Sequence, residues 1–320
     1  MASVNELTDF YYNELYPELK VLEKERKQLK SRVLTVFGSI ALMALGIVLI
    51  ITRNTGFSDI VFFVLFAGFA LGGIVYKLLV KDYTSGFKLK IIHPLIKAIS
   101  SDLDYAPLYY VSETLFSHSK LFTKSIDRFQ GNDHVKGVID GIPIEFSDLH
   151  AEHKTKDSKG RTSWSTIFQG LFIVADFNKH FKGNTIVVPD TAESTFGSFI
   201  GNWMQANNSA RNDLIRMDDP AFEKEFVVYG TDQIEARYIL THTMMQRLLD
   251  LRKKAKHSIY VSFHGTKIYI AIDYRDDMFE PKLFSSLLEY KTVMVYTQTL
   301  HLATGIIKEL KLNERLWSKH

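Results

Sequence analysis

Imidazole nitrogens and carboxylate oxygens grouped over a few positions can bind metal or carry protons near neutral pH. The chain contains 11 histidines, and two of them form His150-Ala-Glu-His153, with Asp148 and His134 close by in sequence. A zincin sets its ligands as His-Glu-x-x-His on one helix face. Here the spacing differs and the segment reads as the end of a strand, so His150 and His153 are weak metal candidates at best. An exposed polar loop uses the same residue types. Asp176 and His180 stand four apart, but no Gly-x-Ser-x-Gly elbow supplies a nucleophile. Gly197-Ser-Phe-Ile-Gly-Asn lacks the Gly-Lys-Ser/Thr of a phosphate loop, and the dinucleotide fingerprint Gly-x-Gly-x-x-Gly is absent. Without cysteine the chain has no thiol nucleophile, thiolate zinc site or iron–sulfur ligand. No catalytic residue, metal or cofactor is assigned.

The most pointed polar cluster is Glu235-Ala-Arg-Tyr238, just after Asp232. Asp232 suits the N-cap of a helix over about Ile234 to Leu251, and Glu235 then sits against the positive end of its dipole. Arg237 can hold a carboxylate, whether Asp232, Glu235 or one brought by a partner. The simpler reading is a device fixing helix to strand. Asp219-Pro220 ahead of Phe222 reads likewise as a helix or turn start before a strand. Leu251-Arg-Lys-Lys-Ala-Lys-His257 is a basic helix end, suited to the dipole or to anionic lipid.

Something must hold these groups in place. From about residue 105 the chain reads as short strands: a hairpin Val135–Ile139/Ile142–Phe146 on the turn Asp140-Gly141, buried runs 170–175, 185–188 and 226–229, and a second hairpin, 258–263 and 267–272, around His264-Gly265-Thr266. A further long helix is predicted over about 283–312. Strands with interspersed helices and no regular βαβ alternation argue for an α+β domain of mostly antiparallel sheet with flanking helices. Two polar stretches, 150–164 and 202–212, read as loops, the first a mobile excursion between strands. Phe196, Phe199, Ile200, Trp203 and Met204 fall at helical spacing, either docked on the domain's own core or offering a lipid-facing interface.

The average composition, 46% apolar and +3 net charge, excludes a disordered tail and a strongly basic nucleic-acid binder. It also conceals a membrane-like segment. Val33–Ile51 carries no charge, and at ~1.5 Å per residue it is long enough for a bilayer core. A second span over 60–80 follows a short turn-rich connection, giving a two-helix transmembrane hairpin over 33–80. The 32 preceding residues hold five glutamates, unlike a cleavable signal peptide. They are predicted to form an N-terminal cytoplasmic amphipathic helix, with Ser3 to Glu6 as its capping box and an interruption at Pro17. A juxtamembrane helix, started or kinked by Pro94, is predicted over 84–104, leaving a cytoplasmic domain over 105–320.

Six cations (Lys20, Lys24, Arg26, Lys27, Lys30, Arg32) precede the first span and four (Lys77, Lys81, Lys88, Lys90) follow the second, against Arg53 alone in the connection. The positive-inside rule then sets both termini in the cytoplasm of a multi-pass inner-membrane protein. Gly68 and Gly72 form a small-xxx-small pair, suited to packing of the spans on each other or to self-association.

Phe168–Asn178, Phe181-Lys-Gly, Val188-Pro-Asp190, Asp219–Gly230 and Asp232–Leu240, following a two-span anchor, together resemble the bacterial membrane proteins of the domain of unknown function 3137 family. Along the whole chain the resemblance implies an inner-membrane protein with a cytoplasmic domain. It also implies a LemA-type membrane protein as a candidate partner, and no activity. Its motif positions Gly170, Asp176, Pro189, Asp190, Asp219, Pro220, Phe222, Phe226, Tyr229, Asp232, Glu235, Arg237 and Tyr238 carry a structural expectation. The function expected is a membrane-anchored scaffold or adaptor, with the bilayer and a membrane protein or a second copy as partners and neither nucleic acid nor a known small molecule as ligand. The alternative is a membrane-associated enzyme with a site near His150 and His153.

Overall fold

The computed structural model describes residues 10–56, 59–177, 179–190, 213–275, 277, 279–310 and 312. The chain divides into two compact units, residues 1–98 with 279–296, and residues 99–278 with 297–320.

The first unit is built on two helices, Tyr16–Thr55 (α1) and Asp59–Phe87 (α2). A single π-turn, Tyr11–Leu15, leads into α1. Pro17 does not end the helix; it stands where the π-turn passes into regular α geometry. Glycine is used where the helices meet. A Cβ on Gly72 would lie 3.3 Å from Phe37, and one on Gly68 would lie 3.7 Å from Ala44. The small-residue pair therefore packs α1 against α2.

Both helices are long and apolar enough to cross a membrane, with 0% and 11% of their most apolar windows buried. Leu42 is 72% exposed and Phe69 83%. Outside these stretches the unit has a core of its own, in which Leu15, Leu19, Leu22, Phe87, Ile91, Leu95, Phe279, Leu283 and Leu287 are buried. After a π-turn at Lys88–Ile92, the chain continues as His93–Ile99 (α3), with Pro94 in its first turn. The predicted juxtamembrane helix thus ends at Ile99, before 104.

Among the described residues the second unit holds a nine-stranded sheet, every neighbouring pair antiparallel. Its strands are Leu103–Ala106 (β1), Arg128–Ile139 (β2), Ile142–Lys156 (β3), Thr162–Asp176 (β4), Asn184–Pro189 (β5), Asp213–Ile215 (β6), Phe226–Gly230 (β7), Ile259–His264 (β8) and Lys267–Ile272 (β9). Across the sheet they run β1-β2-β3-β4-β9-β8-β5-β7-β6.

Turn chemistry sets the registers. Asp140 and Gly141 have φ of 50° and 81°, the pair of positive angles a type I′ turn needs, and Ile139 faces Ile142. Gly265 with φ of 63° closes the two-residue turn between His264 and Lys267. Over one sheet face, Val111, Leu121 and Phe116 of the helix Glu113–His118 (α4) pack with Phe168, Phe172, Ile186, Tyr260 and Tyr269 in a single apolar cluster.

Two sequence expectations are corrected. Residues 150–164 are no loop excursion, because β3 and β4 continue as a paired ribbon to Lys156 and from Thr162. Side chains on both strands support the pairing, as in Thr155 Oγ1 to Ser163 Oγ at 2.8 Å. The last helix, Tyr290–Glu309, starts well after residue 283. The preceding segment lacks helical bonding because its backbone groups bind side chains instead: Arg26 Nη1 donates to the Leu283 carbonyl at 2.6 Å, and Glu23 Oε2 accepts from the Leu287 amide at 3.0 Å. The Ser3–Glu6 capping box, the 202–212 stretch and the stripe Phe196, Phe199, Ile200, Trp203 and Met204 lie outside the described residues.

Candidate functional site at the break between two helices

Asp219 is the N-cap of a short helix, Pro220–Glu223 (α5). Its Oδ1 accepts from the Ala221 and Phe222 amides at 2.9 and 3.2 Å. Proline suits the first position of that helix because no bond is lost there. The other oxygen, Oδ2, accepts from Gln246 Nε2 at 2.9 Å and lies 3.3 Å from His242 Nδ1. The Phe222 amide above all, then Gln246, Ala221 and His242, hold the Asp219 carboxyl below its ordinary range.

The region read as one helix over 234–251 is two, Gln233–Ile239 (α6) and His242–Ala255 (α7). Leu240 leaves the helical region at φ −87°, ψ 59°. Thr241 then restarts it as N-cap, its hydroxyl accepting from the Met244 amide at 3.3 Å. The break sets His242 beside Asp219. From α6, Arg237 Nη2 donates to the Arg216 carbonyl at 3.2 Å, while Nη1 lies 3.8 Å from the exposed Asp218 carboxylate.

An open cavity of about 250 Å³ is lined by Met217, Leu240 and Met245 with Arg237, Asp218, Asp219, Thr241 and His242. That is below the roughly 300–1,000 Å³ of small-molecule sites. Met217, Leu240 and Met245 are buried in it, while Arg237, Asp218 and His242 are exposed at its edge. Sequence reasoning singled out Asp219 and Arg237 but missed His242, Thr241 and Gln246. The signal was Thr241, a capping residue inside an otherwise periodic helix.

The remaining motif positions brace the domain. Asp232 caps α6 through the Ile234 and Glu235 amides at 2.8 and 3.1 Å. Glu235 accepts from the amides of Lys182 and Gly183 at 3.0 and 2.8 Å, fixing α6 to the entry of β5. Lys179 Nζ lies 3.7 Å above the Tyr238 ring, and burial pushes the Lys179 ammonium below its ordinary pKa. The Phe222 and Phe226 rings meet at 5.1 Å, Tyr229 is buried, and Pro189 ends β5 opposite Phe226. Asp190 donates its amide to the Glu225 carbonyl at 3.0 Å, and Asp176 ends β4 opposite Lys267. Gly170 combines φ of 146° with a position where a Cβ would strike the Ile272 carbonyl oxygen.

His150 and His153 do not converge. Three apart on one strand, they project from opposite faces. His150 lies 3.4 Å from Gln130, whereas His153 Nδ1 lies 2.9 Å from Asp127 Oδ2. Nearby, His134 Nε2 lies 3.2 Å from Glu145. Among the described residues no group of three or more metal-binding side chains comes together.

The family model described as "Protein of unknown function (DUF3137)" matches residues 166–312. Residues 166–312 are similar to that family. The match begins within β4 and includes Asp219, Arg237 and His242. It does not include the two long helices, so the likeness covers less of the chain than the sequence motifs implied. No curated protein matches. Among solved structures, the crystal structure of the mycobacterial trehalose monomycolate transport factor A, TtfA, is 12% identical, with 68% of this chain and 92% of that chain covered and a TM-score of 0.34. Those values are too low to carry fold or activity from that protein to this chain.

Proposed function

We propose that this protein is a membrane-anchored interaction module, in which α1 and α2 cross the cytoplasmic membrane and the sheet-bearing domain works in the cytoplasm as scaffold or adaptor. The observation that carries the reading is the bare apolar surface of both helices. A core helix of a soluble protein buries such a surface, whereas here 0% and 11% of the most apolar windows are covered. At ~25 cal/mol per Å², leaving it in water would be costly, and lipid removes that cost. Flanking cations favour both termini in the cytoplasm. Arg26 and Lys88 among them are buried and ion-paired, with Glu23 at 2.7 Å and Glu280 at 3.1 Å, which leaves the exposed ones to face head groups.

The cavity between α6 and α7 is the docking point for a side chain of a membrane-protein partner, a LemA-type protein or a second copy being the candidates. Gly68 and Gly72 are already used between α1 and α2, which favours a partner held by the domain. The test is a photocrosslinking residue at His242 in native membranes. A defined membrane-protein adduct, lost with Arg237→Glu while the unfolding midpoint is kept, is the expected result. No adduct, or one indifferent to Arg237→Glu, would count against the reading. Stoichiometric zinc lost on changing His150 and His153 would favour the enzyme instead.

A further inference from the structure

Beyond Glu152 the β3–β4 ribbon has no third strand among the described residues. The β2 register ends with Arg128 opposite Glu152, and β9 reaches only Leu171. Residues 154–164 are all exposed. Cross-strand register places Lys154 opposite Trp164 and Lys156 opposite Thr162, so these four share one face with Glu152 and Arg128.

Both acidic groups on the arm are ion-paired. Glu152 is paired with Arg128 at 2.8 Å, and Asp157 is held by Arg161 at 2.7 Å inside the turn. Lys154, Lys156 and Lys159 are left to set the sign of the arm. Trp164, 39% exposed, lies under the Arg128 guanidinium at 4.0 Å, with Lys154 Nζ at 5.5 Å. Lysines on a free edge also discourage strand pairing, but that role requires neither a tryptophan nor a one-sided arrangement.

We propose that this arm is a second membrane contact, laying Trp164 and its lysine face on an anionic lipid surface. Lysines favour anionic head groups and tryptophan favours the bilayer interface. A chain tethered to a bilayer meets that surface at high effective concentration. This argument rests on the anchor proposed above.

The test uses the full chain with Trp203 and Trp317 changed to Phe, so that Trp164 alone reports. The protein is placed in nanodiscs of phosphatidylcholine, with or without phosphatidylglycerol, carrying brominated acyl chains. Quenching of Trp164 only in the anionic discs is expected, reversed by salt. At about fivefold per cation, Lys154→Gln with Lys156→Gln should lower the bound-to-free ratio roughly 25-fold. Equal emission in both lipids would overturn the proposal, as would displacement by RNA from anionic discs in favour of a nucleic-acid arm. If the chain enters neither disc, the anchor reading fails by itself. Cosedimentation with phosphatidylglycerol vesicles then decides the arm: salt-sensitive binding lost in the double variant upholds it, and absence of binding overturns it.

Discussion

Replacing Glu23 should release the segment that α1 holds. The Glu23 and Arg26 side chains are 5% and 6% exposed, and Glu23 accepts from Arg26 Nε and Nη2 at 2.8 and 2.7 Å and from the Leu287 amide at 3.0 Å. The Arg26 hydrogen bonds above all, opposed by burial and aided by the Leu287 amide, lower the carboxyl from its ordinary 4.5 to about 2. At about 1.4 kcal/mol per tenfold, this corresponds to ~3 kcal/mol of folded-state preference for the charged form. Glu23→Gln also leaves Arg26 buried without its counter-charge, and breaking such a pair costs roughly 3–5 kcal/mol.

The folded carboxyl is the stronger acid, so its contribution is complete above about 4.5 and is lost as pH falls toward about 2. Hydrogen exchange over 279–289 reads the effect directly. Glu23→Gln should speed those amides roughly 100-fold or more at neutral pH, after correction for intrinsic rates. The unmodified chain should loosen similarly between pH ~4.5 and ~2, with Glu23→Gln adding no further step there. Changing both Glu23 and Arg26 to Leu should cost less than Glu23→Leu alone, since no buried charge is then stranded. Unchanged protection in Glu23→Gln, or in the unmodified chain at acid pH, would refute the clamp.

Three further outcomes are expected. Gly170→Ala places a Cβ on the Ile272 carbonyl at a backbone angle that costs ~1–3 kcal/mol alone, so the domain should melt roughly 6–12 °C lower in a thermal scan for a loss near 3 kcal/mol. Glu235→Ala strands two amides and should destabilise by ~2 kcal/mol in denaturant titration, with Glu235→Gln costing about half as much. Gly72→Ile should separate α1 from α2, because a Cβ already stands 3.3 Å from Phe37. Disulfide trapping between cysteines introduced at Ile40 and Gly68 should therefore fall while Gly73→Ile, facing open space, leaves it unchanged.

Features fixed by local chemistry were legible in the sequence. Asp140-Gly141 and Gly265 announced their turns through the need for positive φ, and Asp219 and Asp232 announced their helices through the amides they cap. What escaped notice depended on distant partners. Residues 283–289 look helical by apolar spacing, but Glu23 and Arg26, over 250 positions away, take their backbone groups. The 150–164 ribbon looks like a loop because polar residues occupy both of its faces, and cross-strand pairing supplies what an apolar core does elsewhere. Thr241 broke a periodic helix that its neighbours alone would have continued. That break brings His242 beside Asp219 at the cavity.

In the proposed arrangement α1 and α2 cross the membrane and leave the sheet-bearing domain in the cytoplasm. A dual-activity reporter fused after His320 in whole cells tests it most directly. Activity of the cytoplasmic reporter, together with extracytoplasmic activity of a fusion placed after Asn54, is the expected result. A His320 fusion active only outside the cytoplasm would contradict it.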